Sequence, residues 1–176
     1  MIQTPRLILR PYREDDRDAF AALNGHPEVG AWLASALTRA EGDAMMDRIS
    51  AQMADQGFGF WGAERKTDGR LVGMVGLMVM GEGLPAPGAI ELGWRIHPEA
   101  QGMGLATEGA RAARDWAFAN LDIDQVVAIT AQTNVRSQAV MTKIGMTPDP
   151  ARDFDHPKLA EDHPLRRHMF FSQSRP

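Results

Sequence analysis

An alternating segment that runs into a glycine loop, AIELGWRIHPEAQGMGLATEGARAA from Ala89 to Ala113, restricts this chain more than any other part of it. Ile90, Leu92, Trp94 and Ile96 fall on one side of an extended backbone while Glu91, Gly93 and Arg95 fall on the other, which is the period of a strand. His97-Pro98 closes that strand, because proline has no amide to extend a ladder. Gln101 to Thr107 carries Gly102 and Gly104, and behind it comes a helical run whose inward face reads Leu105, Gly109, Ala112 and Trp116. Glycines at a helix start bare its first free amides, and those amides with the helix dipole attract an anion such as a pyrophosphate. A tight turn in which glycine supplies positive φ accounts for the same residues. No lysine follows either glycine, as a Walker loop requires, and Thr107 stands where a dinucleotide fingerprint needs a third glycine or alanine.

The surrounding elements follow from local pattern. Arg6 to Pro11 reads as a strand and Glu14 to Leu23 as a helix with Ala19, Phe20 and Leu23 on one face. Glu28 to Ala34 reads as a short helix, and Thr38 with Glu41 three residues on forms a capping box for a longer one through about Ala54. Gly57 to Arg65 and Arg70 to Met80 pair as a hairpin around Thr67-Asp68-Gly69. Gln125 to Ala131 is a strand, Asn134 to Ile144 a helix stopped by Gly145, and Arg167 to Ser172 a last strand. This order gives an α/β chain of the mixed α+β kind, with a mostly antiparallel sheet and helices on both faces.

At 176 residues the chain suits one domain, residues 1–176, and 44% hydrophobic with 24% charged residues argues against disorder. A net charge of -4 speaks against nucleic acid as a partner. Arg6 and Arg10 interrupt the first apolar run, so no signal peptide is read there, and Leu71 to Met80 is far short of a bilayer span. The expectation is a cytoplasmic protein without membrane contact. The chain has no cysteine, which removes disulfides, thiolate metal sites and a cysteine nucleophile together.

Polarity on a central strand is unusual, so Glu91 is read either as a general base in a cleft or as half of a surface pair with Arg95. Asn134 is first an N-cap. His156, His163 and His168 with Asp153, Asp155, Glu161 and Asp162 match no common zinc spacing, and a loop closing over substrate is the preferred reading. No metal is expected. Trp32, Phe58, Phe60 and Trp61 could line an acceptor pocket or fill the core.

The strand with Glu91, then Gln101, Gly104 and Ala106 as Q-x-x-G-x-A, then a helix, resembles the acetyl-CoA loop of the GNAT acetyltransferases. The opening TPRLILRPYREDD, the segment from Asn134-Val135-Arg136-Ser137 to Lys143-Ile144-Gly145-Met146, and the tail FDHPKLAEDHPLRRHMFF are similar to the subgroup that includes the ribosomal-protein alanine N-acetyltransferases. The resemblance implies a centrally splayed sheet of about six to seven strands, with the pantetheine of acetyl-CoA between Ala89 to Ile96 and Gln125 to Ala131. It implies cofactor contacts at Ile96, His97, Gln101, Gly102, Met103, Gly104, Leu105, Ala106, Thr107 and Asn134. Glu91 becomes the implied base, and Ser137 either a helix surface residue or a donor to the leaving sulfur. Many members carry a tyrosine acid four residues after that serine, where this chain has Met141. The implied activity is direct transfer of acetyl to a primary amine, favouring a protein or peptide N-terminus over a small-molecule amine, by a monomer or homodimer. The reading from another class is a CoA-binding regulatory module with weak catalysis.

Overall fold

The computed structural model describes every residue except Ala34. Its sheet takes in β1 (Ile2–Gln3), β2 (Leu7–Arg10), β3 (Phe60–Arg65), β4 (Leu71–Val79), β5 (Ile90–Ile96), β6 (Gln125–Ala131), β7 (Thr147–Pro148), β8 (Phe154–Asp155) and β9 (Arg167–Ser174). The order across the sheet is β1-β2-β3-β4-β5-β6-β9-β7, with β8 also on β9. The six longer strands are those the alternation predicts. The three two-residue strands raise the total to nine among the described residues, and two residues are too few to show a period.

All neighbours run antiparallel except β5 and β6, whose parallel pairing holds only at Ile90↔Val126 and Glu91↔Val127. Past those rungs the two strands part. Leu92 to Ile96 and Ala128 to Ala131 therefore flank an opening in the middle of the sheet.

Helices α1 (Arg17–Gly25), α2 (Pro27–Gly30), α3 (Arg39–Gln56), α4 (Leu105–Asn120) and α5 (Val135–Lys143) cover the two faces. The short second helix stops at Gly30, and Ala34, to which the sequence extends it, lies outside the described residues. Thr38 and Glu41 form the expected reciprocal capping box on α3. The stop of α5 is a Schellman motif: Met146 N–H donates to the Met141 carbonyl and Gly145 N–H to that of Thr142, with Gly145 at φ 93°.

On one face Leu7, Leu9, Val75, Leu92 and Val126 pack with α4. The inward stripe of α4 is Leu105, Gly109, Ala110, Ala113 and Ala117, so the expected Ala112 and Trp116 are displaced to its flank. Small residues let the helix lie close to the sheet, as a Cβ on Gly109 would come within 3.1 Å of Val75. Trp116 is too bulky for that seam and meets Trp61 edge-on at 5.2 Å at its border. On the other face α1 and α3 bring Phe20, Leu23, Met46 and Ile49 onto Met74. A separate apolar group of Met80, Val127 and Phe170 lies under Leu84 and Ala86. Glu91, Gly93 and Arg95 share the face that carries these two clusters.

Candidate active site

The loop after β5 has the backbone geometry an anion cradle needs. Gly102 and Gly104 sit at φ 76° and 78°, a conformation that L side chains rarely adopt, and a Cβ on Gly102 would meet no atom within 4 Å. Gly104 is the N-cap of α4, so the amides of Leu105, Ala106 and Thr107 begin the helix without intrahelical acceptors. The N–H of Glu108 already donates to the Gly104 carbonyl. Three bare amides at the positive end of a sixteen-residue helix can hold a pyrophosphate.

Other implied contacts have a supporting role here. The Gln101 side chain is turned toward protein: its Nε2 donates to the Ile96 carbonyl at 2.9 Å, and its Oε1 accepts from Arg136 Nη1 at 3.1 Å. His97 N–H donates to the Val72 carbonyl and its Nδ1 accepts from Glu99 N–H. Both residues help to fix the loop. Arg6 and Arg136 were not singled out by sequence. Arg6 braces the loop by donating to the Met103 carbonyl at 2.7 Å and to Glu108 at 2.6 Å. Their only sequence signal is membership of the similar opening segment and of the Asn134 to Ser137 run.

Met103 is 51% exposed on this loop, so Met103→Glu tests the cradle without touching a glycine that needs positive φ. A carboxylate placed there repels bound phosphates, and we expect acetyl-CoA affinity to fall about tenfold, less so at high salt. Calorimetry on the folded variant measures this, and unchanged affinity would place the phosphates elsewhere.

Strand divergence supplies a second set of donors. Because His97 pairs with Val72, alternation turns Arg95, Gly93 and Glu91 toward β4 and leaves the backbone groups of Trp94 and Ile96 facing the opening. The Ile96 carbonyl is the one taken by Gln101. Across the gap, Asn134 caps α5 by accepting the Ser137 N–H at 3.1 Å. Ser137 stands at the helix entry, and Met141 is 1% exposed within the core beside Ile144 and Met146. The tyrosine position of the wider family is thus a packing position.

Glu91 is half-buried and forms no ion pair or side-chain hydrogen bond among the described residues. The Glu91 to Arg95 pair is absent, because Arg95 Nη1 donates to Asn24 Oδ1 at 2.5 Å. Burial with no compensating partner raises the Glu91 carboxyl to about 7. Such a group exchanges a proton near neutral pH.

The aromatic residues divide. Phe58 and Trp61 belong to the core on the α4 face, Trp32 is 40% exposed, and Phe60 covers Gly93, where a Cβ would lie 2.8 Å from its ring. The tail forms a strap along β9 in which the His156 and His168 rings meet at a tilt, 4.9 Å apart, beside Phe154. Burial lowers both imidazole pKa values. Among the described residues no three His, Asp or Glu side chains converge to hold a metal ion.

A split sheet, bare helix amides at one end of the split and an unpaired carboxylate beside it fit an acyl-CoA-dependent transferase. Residues 6–147 match the acetyltransferase (GNAT) domain, and the chain belongs to that family as an acetyl-CoA-dependent N-acetyltransferase. It is 29% identical over 159 residues to the FsC-acetyl coenzyme A-N(2)-transacetylase of Aspergillus fumigatus, covering 83% of this chain and 64% of the relative, so it spans under two thirds of that relative's length. An acetyltransferase structure from Agrobacterium tumefaciens superposes with a TM-score of 0.78 at 25% identity, over 99% of this chain and 94% of that one. The fold of the ribosomal-protein-S5-alanine acetyltransferase of Vibrio fischeri matches at a TM-score of 0.77 and 14% identity, over 98% and 94%.

Proposed function

We propose that the chain acetylates a primary amine of low pKa, favouring the α-amino group of a protein or peptide N-terminus. The observation that carries this reading is Glu91, a half-buried carboxylate without an ion-pair or hydrogen-bond partner at the rung where β5 and β6 part, whose pKa burial raises to about 7. Near pH 7 about one α-amino group in ten is neutral, against on the order of one lysine in 2,500, so a base of this strength suits the former. The amine attacks the thioester carbon, Glu91 accepts its proton directly or through water, and the tetrahedral oxyanion is held by free backbone N–H groups of β5 such as Trp94. Collapse releases the CoA thiolate, whose pKa near ~8.5 makes it a good leaving group without a tyrosine acid. Ser137 is then an auxiliary donor to the sulfur.

Two relatives support different acceptors. One is described as an N(2)-transacetylase and the other as an enzyme of a ribosomal-protein alanine. A panel of N-terminal peptides, small polyamines and lysine-side-chain amines, assayed by thiol release, tests the choice. Peptide α-amines are expected to have the highest kcat/KM. A small amine ahead of every peptide would replace this acceptor, and no turnover with any amine would favour a CoA-binding module.

A further inference from the structure

Arg95 projects from the same face of β5 as Glu91, but toward α1 and α3, where it lines a cavity of about 460 Å³. Leu33, Leu37 and Met45 form apolar walls, and Arg48 and Glu41 stand with Arg95 as the charged residues. Arg95 has one strong partner, the neutral Asn24 side chain, and a weak contact to Met45 Sδ at 3.7 Å. Asn24 is fully buried and its Nδ2 donates to the Phe20 carbonyl, so its oxygen is fixed toward the guanidinium. No carboxylate lies within ion-pair distance of Arg95 or Arg48 among the described residues. Glu41 does not supply one, because its carboxylate accepts the N–H and hydroxyl of Thr38 at the cap of α3. Tyr12, the chain's single tyrosine, ends nearby in a buried hydroxyl without a partner, within range of the Arg95 charge.

A guanidinium offers five donors in a rigid fork, and one held in a half-apolar pocket by a neutral amide lacks an anion. Burial lowers the Arg95 pKa, as expected of a cation whose charge is not balanced in place. The cavity is large enough for a residue-sized group.

We propose that this cavity is a subsite for a carboxylate carried by the acceptor, gripped by Arg95 with Arg48 at the mouth. The inference rests on the reading above that the amine reacts beside Glu91. Glu91 and Arg95 are four strand steps apart, about 13 Å between Cα atoms, which sets the separation of amine and carboxylate at on the order of 10–15 Å. A free α-amino acid carries both groups on one carbon and cannot span it. An extended peptide reaches that distance in three to four residues at ~3.3 Å each. The acceptor is therefore an N-terminus with an acidic group near its third residue, or a long-chain amino acid of equal reach. Phe60, lying over Gly93 between the two charges, is the surface along which the connecting chain runs.

Two matched pairs separate these sources: the peptide amide Ala-Ala-Asp-Ala against its Asn counterpart, and 8-aminooctanoate against octylamine. In the intact enzyme kcat/KM should favour the acid in at least one pair by about ten- to a hundredfold. Arg95→Gln should abolish that preference while leaving the neutral member within about threefold, and Arg48→Gln, at an exposed position, should reduce it several-fold. If Arg95→Gln fails to fold, Arg95→Lys retains the charge, loses the fork and should cut the preference. Peptides acetylated with no acid preference in either pair would overturn the subsite and keep the N-terminal reading. Preference for 8-aminooctanoate with peptides untouched would keep the subsite and overturn the peptide. An acid preference that survives in folded Arg95→Gln places the anion elsewhere.

Discussion

Glu91→Gln should lose between about ten and ten thousandfold in turnover at saturating amine, with acetyl-CoA affinity little changed. The side chain keeps its shape and loses its capacity to accept a proton. In the parent, kcat/KM should rise with pH through about 7 as Glu91 ionises, and the variant should lack that limb. The same change should stabilise the fold. The Glu91 pKa is raised from its ordinary 4.5 to about 7, so its favourable contribution is full below about 4.5 and is lost as pH rises through about 7. Above pH 7 the parent holds an unpaired, half-buried carboxylate that the variant does not, a difference on the order of 2–3 kcal/mol after allowance for its solvent exposure. Thermal melts at pH 5 and pH 8.5 should show the variant gaining only at the higher value. Ser137→Ala is the comparison: losing one hydrogen bond to a competent leaving group costs about 1 kcal/mol, a several-fold effect. A thousandfold loss in Ser137→Ala beside near-normal Glu91→Gln would reverse the two roles.

The second large effect concerns folding. Arg10 is 4% exposed and is held by Asp16 through two bonds of 2.6 and 2.9 Å and by Glu64 at 2.6 Å. Asp16 also accepts the Arg13 N–H at 2.7 Å, which shapes the turn into α1. Removing one partner of a buried pair leaves its charge uncompensated, so Asp16→Ala should cost about 3–5 kcal/mol and Asp16→Asn, which keeps an acceptor, less. Burial pushes the Asp16 carboxyl upward, but the hydrogen bonds from Arg10 and Arg13 outweigh it and hold the pKa below the ordinary 3.8. A depressed carboxyl stabilises above its unfolded value and loses that contribution as pH falls through the folded one. The gap between parent and Asp16→Asn should therefore be full at pH 7 and narrow in strong acid. Denaturant titrations at the two pH values measure it, and equal stability at pH 7 would show that Glu64 alone suffices for Arg10.

What the sequence made legible was what local pattern encodes. Gln125 to Ala131 has the boundaries of β6, and Thr38 with Glu41 marks the start of α3 through a bond between neighbours. The glycine loop was readable because bare amides require missing side chains at fixed offsets. Sequence leaves a Glu91 to Arg95 pair open beside the base, since strand alternation places them on one face but says nothing of Asn24, seventy-one residues away, which takes the Arg95 guanidinium. The face of α4 was misplaced for a different reason: alanine and glycine carry little hydrophobic signal, so the bulky Trp116 drew the reading away from Ala110, Ala113 and Ala117. Three two-residue strands had no period to detect.

Only two rungs join β5 to β6, so the sheet is two leaves joined along a short seam and stitched elsewhere by α4, which touches both sides. A ligand lying in that slit and bonding to the unpaired backbone of either leaf takes the place of the missing ladder. Acetyl-CoA would then act as a structural member as well as a reagent. Each turnover would then remove and replace part of that cross-bracing, and resistance to heat and proteolysis should follow cofactor occupancy more closely than acceptor occupancy.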